Sequence, residues 1–158
     1  MKIIILAAGK GERLFPLTKN TPKPLIDLGD GETLLEKQLK SLSESKVIDE
    51  VIVVIGYLYE QIESKLKNFK TNLKIKTYYN PFYETSNNLI TLWLSKYEMN
   101  EDFLITNGDN LFTSDVVGDL VKKTNDGIYV TICYRDNLGE DDALDDEPFE
   151  GFGEELCG

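Results

Sequence analysis

A glycine-rich turn directly follows the first apolar run of this 158-residue chain. The segment from Leu6 to Arg13 combines small residues with two glycines and two cations. Small residues let the backbone turn tightly and direct its N–H groups toward an anion, so this segment can bind a phosphate. Many turns after a strand use glycine only for a positive φ, and for the turn alone that simpler interpretation stays open.

A further cation follows on a segment that proline stiffens. Lys23 stands between two prolines, so it can lie across one polyphosphate from Arg13. Two common phosphate motifs do not fit. The dinucleotide fingerprint needs a third glycine where Leu14 stands, and the Walker A loop needs a Gly-Lys-Ser/Thr ending. The pattern therefore indicates a polyphosphate site of another kind.

A carboxylate stands directly after the fourth predicted strand, in the segment from Thr106 to Asn110. Ligands of open α/β sheets bind beyond the carboxyl ends of the strands, which places Asp109 at the same edge as the glycine-rich turn. Mg²⁺ uses one or two carboxylates together with water and phosphate oxygens. Both features together predict a magnesium site at Asp109. By itself, the aspartate is better explained as a turn residue that caps the next element.

A polar segment, Asn80 to Asn88, follows the third predicted strand. Its amides and hydroxyls are able to read the edge of a nucleotide base, and its proline and asparagines restrict the backbone. Tyr78 and Tyr79, which belong to the strand itself, are expected in the core rather than in a binding site.

The elements that carry these residues alternate between strand and helix. Five short runs are predicted as strands: Lys2–Ala7, Val51–Ile55, Leu73–Tyr79, Phe103–Thr106 and Ile128–Tyr134. The segments between them have helical spacing. The first has a capping box from Thr33 to Glu36, and the third has Leu89, Leu92 and Trp93 on its core side. This order predicts an α/β fold with a mostly parallel sheet flanked by helices.

Composition excludes several classes of protein. The chain has 28 acids against 17 bases, a formal charge of −11, which disfavours binding to nucleic acid or an acidic membrane. Histidine is absent, which excludes Ser-His and Cys-His hydrolases and most catalytic zinc sites. Two cysteines make no disulfide framework, and there is neither a signal-peptide pattern nor a membrane-length apolar run. A cytoplasmic protein is therefore expected.

The negative charge is concentrated at the end of the chain. Residues 136–158 contain ten acids and no Lys or Arg, with little periodicity. We therefore expect a folded domain over residues 1–135 and an irregular acidic tail over 136–158. The tail is either a solvated terminus or a source of carboxylates for an active site, and both interpretations stay open.

The compound pattern of Gly, Arg, Thr, Pro and Lys from Leu6 to Leu25 resembles the signature of the nucleotidyltransferases that make nucleotide-diphosphate sugars and their relatives. The segment from Asn80 to Leu92 resembles the branch that acts on phosphocholine and similar compounds, and Asn107-Gly108-Asp109 matches the metal-binding aspartate of the family. The resemblance covers residues 1–135 and implies a Rossmann-like fold, of the nucleotide-diphospho-sugar transferase type, that binds a nucleotide.

The resemblance also implies roles for individual residues. Arg13 and Lys23 would bind phosphates and stabilise charge during transfer, and Asp109 would bind Mg²⁺. The nucleotide-binding residues would be Leu6, Ala7, Ala8, Gly9, Gly11, Gly56, Asn80, Ser86 and Asn87, of which the last four would line the base pocket.

The implied reaction transfers CMP from CTP to a small phosphorylated amino compound such as phosphocholine and releases pyrophosphate. Family members continue through strands that build the acceptor half and supply a second metal-binding aspartate, so this chain is expected to lack a C-terminal part. A sugar-1-phosphate nucleotidyltransferase, or a nucleotide-binding module without turnover, therefore stays as an alternative.

Overall fold

The computed structural model describes residues 1–123 and 127–129, and it divides the chain into two units, residues 1–125 and 126–158. The first unit contains four strands: β1 (Lys2–Ala7), β2 (Glu50–Ile55), β3 (Lys74–Tyr79) and β4 (Phe103–Asn107). They confirm the first four predicted strands to within one residue at each end. The predicted strand over Ile128–Tyr134, the acidic tail and the boundary after Arg135 fall almost entirely outside the described residues and stay predictions.

All four strands are parallel, and their order in the sheet is β3-β2-β1-β4. The chain moves from β1 outward to β2 and β3 and then returns to the other side of β1. The order therefore reverses between β1 and β4, where Leu6 is paired with Asn107. Open α/β sheets bind ligands in the crevice at such a reversal, beyond the carboxyl ends of the strands. The sheet confirms the predicted α/β class and brings the glycine-rich turn and Asp109 to one crevice.

Four helices connect and cover the strands: α1 (Leu34–Ser45), α2 (Tyr59–Asn68), α3 (Asn88–Trp93) and α4 (Ser114–Lys123). The predicted capping box starts α1. The Thr33 N–H donates to the Glu36 carboxylate at 2.9 Å, and the Glu36 N–H donates to the Thr33 hydroxyl. This exchange satisfies two backbone donors that the first helical turn leaves unpaired. Among the described helices, none combines the length and apolarity needed to cross a bilayer.

The core has two layers because β1 and β2 are covered on both faces. Alternate residues of β1, such as Ile3 and Ile5, pack with α1, α2 and Val117 of α4. Ile4 faces the opposite layer and packs with Ile52 and Val54 against the side of α3. Burial on both faces explains why these central strands read as continuous apolar runs.

The core-facing side predicted for α3 was right for Leu92, which packs against the second core layer, but wrong for Leu89 and Trp93. Leu89 and Trp93 are 72% and 62% exposed, whereas Thr91 is buried. Thr91 accepts a hydrogen bond from the side-chain amide of Asn80 at 3.1 Å, and Asn87 caps the helix by accepting from the Ile90 N–H at 3.1 Å. These polar contacts determine which face of the six-residue helix turns inward. The spacing of its apolar residues therefore did not predict the exposure of Leu89 and Trp93.

The expectation that both strand tyrosines lie in the core was wrong for Tyr79, which is 48% exposed. It lies on β3, at the edge of the sheet, where its ring packs against Tyr59 at 4.7 Å between centroids. Tyr78 is partly buried, and its hydroxyl donates to Glu98 at 2.7 Å. None of the six residues of this edge strand is fully buried, so the two core layers cover the edge of the sheet less completely than its centre.

Candidate active site

The glycine-rich turn leaves β1 at the crevice and is held by a buried threonine. The hydroxyl of Thr18, which is fully buried, donates to the Gly11 carbonyl at 2.8 Å. Gly11 has φ of 65°, a left-handed conformation that favours glycine. Within the described residues, the backbone N–H groups of Gly9, Lys10 and Gly11 have no hydrogen-bond partner. The turn therefore offers a group of unused donors, as an anion site requires.

Lys23 reaches the same crevice from a short 3₁₀ turn, Lys23–Leu25, that follows the extended Pro22. Its ammonium group forms an ion pair with Asp109, 86 positions further along the chain. The two side chains retain 32% and 38% of their accessibility. A cation and a carboxylate are thus held together where a ligand can contact both.

Asp109 is carried by a turn that lies directly on the end of β1. The Gly108 N–H donates to the Leu6 carbonyl at 2.8 Å. A side chain at Gly108 would meet Ala7 Cβ at 3.1 Å and the Leu6 carbonyl oxygen at 3.2 Å. Glycine is therefore required for the close approach of the two strand ends, and this approach places Asp109 beside the glycine-rich turn.

The same turn is held from the other side by Gln38 of α1. The Gln38 side-chain amide is fully buried and donates to the carbonyls of Asn107 and Asn110, at 2.8 and 2.6 Å. Asp109 lies between these two acceptors in sequence. Two backbone carbonyls of the turn are thereby tied to a helix of the core.

An open cleft of about 440 Å³ lies between the glycine-rich turn and the segment after β3. It is lined by Lys10, Gly11, Glu12, Arg13, Leu14, Lys23, Tyr83 and Glu84. Lys10 forms an ion pair with Glu84 at 2.7 Å, and the hydrogen bond to this carboxylate holds the pKa of Lys10 above its ordinary value. Among the described residues, the Arg13 guanidinium has no hydrogen-bond or ion-pair partner. Arg13 is therefore free to bind an anion that enters the cleft.

A family model described as nucleotidyl transferase matches residues 2–139, which is most of the chain. The chain belongs to this family. The match confirms the resemblance that the glycine-rich turn and the Pro-Lys-Pro segment indicated, and it includes every predicted site residue.

Sequence comparison finds relatives whose names give a particular reaction within this family. A choline-phosphate cytidylyltransferase of Streptococcus pneumoniae is 36% identical over 133 residues, which cover 84% of this chain and 56% of that protein. A mannose-1-phosphate guanylyltransferase of Arabidopsis thaliana is 42% identical over 76 residues, covering 48% of this chain and 20% of the relative. This chain therefore spans about half the length of the first relative and less of the second.

The structural comparison agrees with the sequence comparison. The solved structure of the CTP:phosphocholine cytidylyltransferase from Streptococcus pneumoniae superimposes with a TM-score of 0.61 at 37% identity. The superposition covers 72% of this chain and 49% of the other. It confirms the Rossmann-like, parallel-sheet fold of the nucleotidyltransferases.

The predicted site residues fall into two groups within this fold. Gly11, Arg13 and Lys23 line the cleft, and Asp109 contacts Lys23. The other predicted residues do not line the cleft, and among them Gly9 and Asn87 are exposed: Leu6, Ala7, Ala8, Gly9, Gly56, Asn80, Ser86 and Asn87. Leu6 and Ala7 still belong to β1, and Ala8 is buried with its carbonyl bound to the Tyr57 N–H.

Asn80 acts inside the segment after β3 and does not reach the cleft surface. It is fully buried, and its amide nitrogen donates to Ser86 at 2.8 Å and to Thr91. Its carbonyl oxygen accepts from the Phe82 N–H at 2.8 Å. Asn80 therefore shapes the loop that carries Tyr83 and Glu84 to the cleft.

The donor set around Asp109 fits Mg²⁺. No group of three or more Cys, Asp or Glu side chains able to hold a metal exists within the described residues. The protein part of the site would thus be a single exposed carboxylate next to unused phosphate-binding donors. Mg²⁺ in nucleotide sites is commonly held by one or two carboxylates, phosphate oxygens and water, and this arrangement matches that pattern.

Five residues that sequence reasoning did not select also build the site: Lys10, Gln38, Tyr83, Glu84 and Gly108. Gln38 had a signal, because a polar side chain stands at helical spacing among Leu35, Leu39 and Leu42, which are all buried. No sequence pattern pointed to Lys10 or Glu84, because their ion pair joins two loops that are far apart in the sequence.

The loop after β3 depends on Gly56, which gives a first testable prediction. A side chain at this position would lie 2.6 Å from Tyr83 Cβ and 2.7 Å from the Ala8 carbonyl oxygen. Gly56→Ala is therefore expected to lower the free energy of unfolding by about 1–3 kcal/mol and to weaken nucleotide binding, because the loop must move. Chemical denaturation and calorimetric titration measure the two effects.

Gly118→Ala is the matched control. Gly118 lies inside α4 with open space around its Cα, so alanine should be neutral or slightly stabilising. Equal stability and nucleotide affinity in Gly56→Ala and the wild type would contradict the prediction.

Proposed function

We propose that this chain transfers CMP from CTP to the phosphate of a small phosphorylated amino compound such as phosphocholine. The observation that carries the proposal is the crevice where unused backbone donors, Arg13, Lys23 and Asp109 meet at the reversal of strand order. Support for the cytidylyl group comes from the choline-phosphate cytidylyltransferase that this chain resembles over 84% of its length.

In the reaction, an oxygen of the acceptor phosphate attacks the α-phosphorus of CTP. The bond between that phosphorus and the bridging oxygen of the β-phosphate breaks, and pyrophosphate leaves with the electron pair. A phosphate monoester has a second pKa of about 6, so the attacking oxygen is already anionic at neutral pH. The transfer needs no general base, in agreement with the absence of histidine from the sequence.

The residues of the chain act by position and charge. The turn from Gly9 to Gly11 binds the phosphates through its backbone N–H groups. Arg13 and Lys23 neutralise the charge that moves to the leaving pyrophosphate, and Lys23 exchanges its contact with Asp109 for the phosphates when the nucleotide binds. Asp109 would hold Mg²⁺, which when bound would supply charge neutralisation and orientation of the triphosphate.

The base is expected to be read by exposed residues of the loop from Pro81 to Asn88, which the buried Asn80 shapes from inside. We predict that CTP, with Mg²⁺, binds at least about tenfold more tightly than ATP or GTP, because a site built to hydrogen-bond one base leaves donors unpaired with another. Isothermal titration of the four triphosphates against the same protein checks this. Equal affinity for all four would remove the basis for a cytidylyl enzyme.

A pyrophosphate-release assay separates the alternatives. Release with phosphocholine but not with a sugar 1-phosphate supports the proposal. Release with the sugar phosphate and a preference for GTP would favour the second candidate, which the similarity to a mannose-1-phosphate guanylyltransferase suggests. Tight CTP binding without release in any acceptor screen would instead indicate a nucleotide-binding module.

A further inference from the structure

Gln38 is a polar residue in a position where the sequence pattern of α1 calls for an apolar one. It is fully buried, as are its neighbours on the inner face of the helix, Leu35, Leu39 and Leu42. Leucine or methionine has the same helix propensity as glutamine and packs without polar atoms. Packing of α1 therefore gives no reason for glutamine here.

Burial of the Gln38 side chain leaves one of its polar atoms without a partner. Within the described residues, Gln38 Oε1 is buried and accepts no hydrogen bond. An orphaned buried oxygen is unfavourable, and native proteins violate such local rules mainly at functional sites. The amide nitrogen of Gln38, by contrast, donates two hydrogen bonds.

Both hydrogens go to the turn that carries Asp109. They reach the carbonyls of Asn107 at 2.8 Å and Asn110 at 2.6 Å. Within the turn, the Asn110 N–H donates to the Asn107 carbonyl at 3.3 Å and the Asn110 side-chain amide donates to the Thr106 hydroxyl at 3.4 Å. Both contacts are longer than the two from Gln38, and the Gly108 N–H ties the turn to the Leu6 carbonyl on its other side. The Asp109 side chain is exposed and its own partner, Lys23, comes from a different loop. Gln38 is thus the buried group of α1 that holds the turn by its backbone.

We propose that Gln38 is a positioning residue, which holds the Asn107–Asn110 turn so that the Asp109 carboxylate stays ready for Mg²⁺. This inference rests on the proposed function, in which Asp109 is the metal ligand. Groups that orient a metal ligand from outside the coordination shell commonly change metal affinity or activity 10–100-fold when they are removed. Gln38 would act in this way through the backbone.

The test uses the strengthening of CTP binding by Mg²⁺. This quantity is the ratio of the CTP dissociation constant without Mg²⁺ to that with saturating Mg²⁺, and it measures the coupling between the two ligands. Gln38→Met keeps the shape of the side chain and removes both donors. We expect it to reduce the ratio about tenfold, while the affinity for CTP without Mg²⁺ and the melting temperature stay near the wild-type values.

Three further variants make each outcome decisive. Asp109→Asn should remove the coupling completely. Leu42→Ala, one helical turn further along α1, should lower the melting temperature but keep the coupling, since it deletes core volume away from the turn. Gln38→Leu repeats the test with a different side chain should Gln38→Met not fold.

The results separate the inference from the proposed function. Coupling that is lost in Asp109→Asn and kept in Gln38→Met overturns the role of Gln38 alone. Equal loss in Gln38→Met and Leu42→Ala also overturns it, because the effect would then be general. No coupling in the wild type, or unchanged coupling in Asp109→Asn, overturns Asp109 as metal ligand and with it the role of Gln38.

Discussion

Asp109→Asn is expected to reduce the rate of pyrophosphate release at least about 100-fold, the scale seen when a group that stabilises charge in the transition state is removed. The asparagine keeps the shape of the side chain but loses the charge that Mg²⁺ requires. Stability should change little. The ion pair with Lys23 is about one-third exposed, and such pairs contribute roughly 0–1 kcal/mol.

The control for this variant stands at the other end of the strand that precedes Asp109. Asp102 is exposed just before β4, whereas Asp109 follows β4, so Asp102→Asn changes the net charge equally without touching the crevice. It should leave the rate unchanged. Wild-type turnover in Asp109→Asn, or an equal loss in both variants, would show that Asp109 is not a ligand of the catalytic metal.

The second large effect concerns the two cations. Arg13→Ala and Lys23→Ala are each expected to lower kcat/KM for CTP by about 100-fold, or about 3 kcal/mol, because each removes one charge that faces the phosphates. Both side chains line the open cleft rather than the core, so the melting temperature should stay near that of the wild type. Steady-state kinetics and thermal melts measure the two quantities.

Lys19→Ala is the matched control, because Lys19 is an exposed cation on the same segment and does not line the cleft. A similar loss in Lys19→Ala would mean that overall charge, and not position, attracts the nucleotide. Lys23→Ala has a second expected signature. It frees the Asp109 carboxylate, so Mn²⁺ used as a probe should bind the nucleotide-free variant more tightly than the wild type. Wild-type kinetics in both Arg13→Ala and Lys23→Ala would place the phosphates elsewhere.

The limits of sequence reasoning are clearest at α3. The spacing of Leu89, Leu92 and Trp93 predicted an inward apolar face, yet Leu89 and Trp93 point to solvent. Asn80 and Thr91, eleven positions apart, meet inside the protein and turn the helix by a polar contact. Periodicity measures only the average preference of side chains for burial, and six residues are too few for that average to prevail.

Local patterns in the amino-acid sequence were enough to predict the four described strands, the capping box of α1, the family and the loops that would carry nucleotide chemistry. These features depend on local pattern, on apolar alternation, on cap residues and on glycine and proline spacing, and neighbouring residues suffice to express them. The ion pair of Lys23 with Asp109 and the hydrogen bonds from Gln38 to the turn that carries Asp109 could not be predicted in this way. Those contacts join segments that are 69 to 86 positions apart. They exist because the strand order reverses between β1 and β4, and that long-range pairing brings the ends of two distant strands to one crevice.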